Sequence, residues 1–112
     1  MKVGIIRCMQ TEEFCPGHND FLSIRQRSGG FADVPAEEPI ELTGFISCGG
    51  CPGKKVGMRA ATLIQRGADT IAFASCVHKG APMGYPCPFG KRMTELVKAA
   101  VGEDVPILDH TH

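Results

Sequence analysis

The sequence contains no tryptophan and a single tyrosine, Tyr85, which leaves little to stack against bases or sugar rings. It also lacks any excess of charge. Lys plus Arg number 12 and Asp plus Glu number 12, so the formal net charge is zero. That balance excludes a protein that holds nucleic acid mainly by bulk charge, while leaving room for a local basic patch. No apolar stretch approaches the roughly 20 residues needed to span a bilayer. The N-terminus enters a strand-like run rather than the apolar segment of a secretory signal. The expectation is a cytoplasmic protein without membrane or nucleic-acid partners, acting on a protein or small molecule that the sequence does not identify.

What is present is a chain of 112 residues with 43% apolar and 21% charged residues, enough for one hydrophobic core and one domain spanning residues 1–112. It carries 6 cysteines. Cytosolic thiols are normally kept reduced, so these read as metal ligands or redox groups rather than as a disulfide framework.

Short apolar runs at Val3 to Cys8, Ile40 to Cys48, Thr70 to Cys76 and Val105 to Asp109 predict buried strands. Between them, Asn19 or Asp20 is positioned to cap a helix with Phe21, Leu22 and Ile24 on its apolar side, stopped by Gly29-Gly30. Phe31 to Pro39, with its acids and prolines, reads as a polar surface loop. Val56, Ala60, Leu63 and Ile64 follow the spacing of a core-facing helical stripe, and Gly67 fits its C-terminal cap. A Gly/Pro-rich loop from His78 to Pro88 precedes a last helix with Phe89, Met93, Leu96, Val97 and Ala100 on one face. This β-α-β-α-β-α-β order predicts a three-layer α/β domain, Rossmann- or flavodoxin-like, with a mostly parallel four-stranded sheet flanked by helices. The order of the strands does not follow from the pattern.

Right-handed crossovers place all strand ends on one edge, where open α/β sheets bind their ligands. The first three strands end on Cys8, Cys48 and Cys76, and the loops after them carry Cys15, Cys51 and Cys87, each followed by proline. Cys48 and Cys51 form a C-x-x-C knuckle whose glycines let two sulfurs converge on one metal. The same pair, ahead of a helix N-terminus and beside Lys54 and Lys55, also reads as a redox pair with Cys48 as a low-pKa nucleophile and Cys51 resolving it. Thiols and imidazoles at one edge make a soft site. His78, two residues after Cys76, reads as a ligand or as a loop residue, and His18 is evenly balanced between a ligand and a helix-start polar residue. His110 and His112 share one face of the last strand, with Asp109 turned away from His110, so no His–Asp pair is expected there. Met58, Met83 and Met93 read as packing residues rather than ligands. The Gly49 to Lys55 loop has glycines and lysines at a helix start but lacks the spacing and hydroxyl of a phosphate loop, so nucleotide hydrolysis is not indicated.

At Cys48-Gly49-Gly50-Cys51-Pro52-Gly53-Lys54-Lys55 the chain resembles the CGGC-domain family. Arg7-Cys8, the Thr11 to Pro16 stretch, Ala74-Ser75-Cys76, Cys87-Pro88-Phe89 and the closing Thr111-His112 support the resemblance along essentially the whole chain. It implies a prokaryotic metal-binding, chiefly zinc-binding, domain, and it favours His112 over His110 as a ligand.

The leading expectation is therefore a metal-binding domain, holding zinc or an iron–sulfur cluster. Cys8, Cys48, Cys51 and Cys76 are the primary ligands expected; Cys15, Cys87 and His112 are further ligands or resolving thiols. This set exceeds the four ligands of one tetrahedral zinc. A thiol–disulfide oxidoreductase using Cys48 and Cys51, and a structural zinc domain serving as an interaction module, are the alternatives.

Overall fold

The structure is a computed structural model describing residues 1–112. Its centre is a four-stranded sheet made of β1 (Lys2–Arg7), β2 (Glu41–Ser47), β3 (Thr70–Phe73) and β4 (Ile107–Leu108), in the spatial order β2-β1-β3-β4. Every pairing is parallel. β1 and β3 occupy the middle, which is why Val3, Ile5, Ile6, Ile71, Ala72 and Phe73 are fully buried. β2 is an edge strand and only partly covered. This is the doubly wound arrangement, and its order reverses between β1 and β3, the place where such sheets form a ligand crevice beyond the strand ends.

The helices are α1 (His18–Gln26), α2 (Val56–Gln65), the short α3 (Ser75–His78) and α4 (Gly90–Val101). Opposite pleats of β2 show which layer each occupies. Phe45 packs its ring against Phe21 of α1, with centroids 5.1 Å apart. Its neighbour Gly44 has no side chain because Leu63 of α2 fills the place where one would stand. α1 therefore covers one face of the sheet, and α2 covers the other together with α4. The predicted stripes are largely as expected: Val56, Ala60, Leu63, Met93 and Val97 are buried.

Five expectations are corrected. β3 stops at Phe73, and Cys76 lies in α3 rather than at a strand end. β4 covers Ile107–Leu108 alone. Phe31, placed by sequence in a polar loop, is fully buried in a 3₁₀ turn (Gly29–Phe31). Asp20 is no cap: Gly17 precedes α1, while Asp20 is buried and accepts the Thr111 hydroxyl. Met58, expected to pack, is 67% exposed.

Gly29 and Gly30 do more than stop a helix. The main chain of residues 110–112 lies directly on them, with the Gly30 N–H donating to the Thr111 carbonyl at 2.9 Å. A β-carbon on Gly30 would run into the His110 carbonyl oxygen, a backbone atom that cannot swing away. Gly30→Ala is expected to destabilise the fold by about 1–3 kcal/mol, measured by urea denaturation. An unchanged midpoint would contradict this packing.

Candidate functional site

The residues that follow β1 and β2 begin the site. Cys8 follows β1, and its N–H points at the Cys76 sulfur of α3, 3.2 Å away. Cys48 follows β2, held by its N–H to the Arg7 carbonyl at 2.7 Å. From there the chain turns through Gly49-Gly50 to the exposed Cys51. Cys87 is anchored by its N–H to the Val77 carbonyl at 2.7 Å, and its sulfur accepts the Phe89 N–H at 3.4 Å.

Cys8, Cys48, Cys51 and Cys87 line one narrow crevice, floored by Met93 and Phe89. No carboxylate, imidazole, lysine or arginine lines it. Cys8, Cys51 and Cys87, now with Cys76, also line an adjoining cleft of about 310 Å³ beside Met83 and Tyr85. The structure thus gathers five of the expected thiols. Cys15 and His112 are not among them: both lie in a separate cavity of about 330 Å³ with Arg7, His18 and Asp20. Cys76 separates the two regions and lines both.

Burial pushes the Cys76 thiol above the ordinary thiol range, opposed by the Cys8 N–H and Thr11. Burial also raises Cys87, opposed by the Phe89 N–H; negative charge on Cys8, Cys51 or Cys48 raises it further. No cationic side chain in the crevice relieves the repulsion that Cys87 meets. No three His, Cys, Asp or Glu side chains converge as a preformed metal-ligand set. What fits a metal here is the donor chemistry, four thiols without a carboxylate or imidazole, which suits zinc or an iron–sulfur cluster.

Two features expected to activate Cys48 are placed differently. α2 begins at Val56, after a turn that follows Cys51, and neither Lys54 nor Lys55 lines the crevice. Cys48 is 5% exposed whereas Cys51 is open to solvent. Attack on a disulfide needs access, and in this pair the accessible thiol is Cys51. In metal-free reduced protein, Cys51 should be alkylated by iodoacetamide well before Cys48 and Cys76, as read by mass spectrometry. Labelling of Cys76 as fast as Cys51 would contradict this ordering.

The histidines take several roles. His78 caps no site. Its ring meets Phe73 edge-on at 5.0 Å, and its Nε2 pairs with the Thr94 hydroxyl at 3.1 Å. Burial holds its imidazole below the ordinary histidine range, partly offset by Asp109. The unfolded chain takes up this proton near pH 6.5 while the native state resists it, so native stability falls as pH drops below that value. Chemical-shift titration of His78 should give a midpoint below about 6.5; a midpoint above it would contradict the packing. His110 does pair with Asp109, Nδ1 to Oδ1 at 2.7 Å, because β4 ends before both and strand alternation no longer separates them. That pair is at the surface and holds Asp109 below the usual carboxylate range.

Sequence reasoning missed a buried polar hub. The Ser75 hydroxyl accepts the N–H groups of Thr111 and His112, at 3.2 and 3.0 Å, and donates to the His112 main-chain oxygen at 2.9 Å. Thr111, fully buried, in turn donates its hydroxyl to Asp20. These contacts fix the His112 segment against α1 and α3. The only sequence signal was Ser and Thr beside residues already singled out, at Ser75-Cys76 and Thr111-His112.

The fold and site define a doubly wound parallel α/β domain whose sheet edge, at the switch point, is lined by thiols. The chain belongs to the CGGC domain family, whose model matches residues 2–112. It is similar to an uncharacterized protein of Methanocaldococcus jannaschii, 34% identical over 119 aligned positions that cover 100% of this chain and 87% of that protein. No solved structure matches the chain significantly. No helix is long and apolar enough to cross a membrane.

Proposed function

We propose that the thiol crevice is a thiophilic metal centre, holding zinc or an iron–sulfur cluster through Cys8, Cys48, Cys51 and Cys87, with Cys76 beside it. One observation carries the reading: four thiols from three separate loops line a crevice that offers no other ionisable donor. Thiols gathered in one crevice become good ligands when a cation takes up the charge of their thiolates. Bound there, zinc would supply a fixed positive charge and a cluster would supply electron transfer. The chain's own residues fix the loops, the Cys8 N–H against Cys76 and the Phe89 N–H against Cys87. Cys15 and His112 stand outside the set because they line the other cavity.

The test is metal content and visible absorption of protein purified without oxygen. About one equivalent or more of zinc in a colourless protein, or iron with sulfide in a brown one, supports the reading. Reduced, folded protein that retains neither and binds neither on reconstitution would overturn it.

The exposure of Cys51 next to buried Cys48 favours a second reading, thiol–disulfide exchange. Cys51 would attack a substrate disulfide and Cys48 would resolve the mixed disulfide. Cys48→Ser should then trap the mixed disulfide, and Cys51→Ser should abolish turnover. Full reductase activity in Cys51→Ser would remove this alternative.

A further inference from the structure

Across Cys76 from the thiol crevice, the cavity of about 330 Å³ has a different chemistry. Two of its lining side chains bear opposite charges and are more than nine-tenths buried: Arg7 is 8% exposed and Asp20 5%. They do not pair with each other, and Arg7 enters no ion pair at all. Of the Arg7 donors only Nη2 finds hydrogen-bond acceptors, the Cys15 carbonyl and the Thr11 hydroxyl, while the guanidinium lies over the Phe45 ring, 5.4 Å from its centroid. Its Nε and Nη1 have no acceptor. Asp20 uses Oδ1 for the Thr111 hydroxyl, with His112 Nε2 3.7 Å from the same oxygen, and its Oδ2 accepts nothing. No buried side-chain nitrogen or oxygen is sealed off without a partner, so these free atoms remain reachable from outside the protein.

A buried guanidinium and a buried carboxylate that line one cavity, each with unused hydrogen-bonding capacity, complement a ligand that carries both charges. Charge-assisted bonds of this kind are the stronger ones. The volume is at the small end of ligand pockets, roughly 300–1,000 Å³, which suits a molecule of free amino-acid size. The rest of the lining includes Phe14, Pro82 and the Cys76 thiol, a surface for an apolar or sulfur-bearing side chain. We propose that this cavity binds a small zwitterion of the α-amino-acid class, with its carboxylate on Arg7 and its ammonium on Asp20. The assignment stands apart from the metal centre and does not depend on it.

Calorimetric titration of the reduced protein with L-methionine tests it. Binding in the range of about 10 µM to 1 mM is expected, weakened more than about tenfold when the ligand is N-acetyl-L-methionine or L-methionine methyl ester. These probes leave the protein untouched, so a folding defect cannot produce the result. Asp20→Asn, which keeps an oxygen for Thr111, and Arg7→Met should each weaken L-methionine binding by a similar factor. No heat up to about 10 mM ligand would overturn the proposal, and so would equal binding of the blocked forms, which keep the thioether and would then show capture through sulfur instead.

Discussion

Protein carrying Cys51→Ser and Cys87→Ser together is expected to lose its metal, falling from about one equivalent to less than about a tenth. A serine hydroxyl stays protonated at neutral pH and does not replace a thiolate on zinc or iron. Two losses from a four-thiol lining leave Cys8 and Cys48, too few to close a tetrahedral site. The fold should persist, because Cys51 is exposed and Cys87 only half-buried, so far-UV circular dichroism should be unchanged. Cys15→Ser provides the contrast. Its thiol lines the other cavity, and the variant should retain the full metal complement. A double variant that keeps its metal, or a Cys15→Ser protein that loses it, would place the centre elsewhere.

Phe31→Ala is expected to destabilise the protein by about 3–5 kcal/mol, the range for removing a fully buried aromatic side chain. Phe31 has no exposed surface and belongs to the continuous core. Its 3₁₀ turn is held by the Phe31 N–H to the Ser28 carbonyl at 3.0 Å, and the glycines before it carry the Thr111 segment. The ring thus closes the core under the same backbone that fixes His112. Equilibrium urea denaturation measures the loss directly; a change under about 1 kcal/mol would mean that the ring is solvated, as the polar character of its sequence neighbourhood implies.

That contrast shows where the sequence is legible. The sheet and the two long helices follow from periodic apolar residues such as Val56, Ala60 and Leu63, because burial on one face writes a repeat into the chain. The cysteine-bearing edge follows from handedness: parallel strands with right-handed crossovers must bring Cys8 and Cys48 to the same side. Isolated contacts leave no such repeat. Phe31 stands in a segment of acids and prolines without a periodic apolar repeat, and its burial depends on what folds over it. Asp20 and Thr111 are 91 positions apart, so nothing local announces their bond. The sharing of thiols between two cavities was hidden for a similar reason. Cys15 turns away from the crevice because its carbonyl is held by Arg7, and Cys76 stands behind Cys8 because β3 gives way to α3 before reaching it.

X-ray absorption spectroscopy at the edge of the bound metal tests the central claim most directly. An all-thiolate centre predicts a first shell made only of sulfur, at about 2.3 Å for zinc, with no nitrogen or oxygen scatterer. A shell containing histidine nitrogen or carboxylate oxygen would contradict the assignment of the centre to Cys8, Cys48, Cys51 and Cys87.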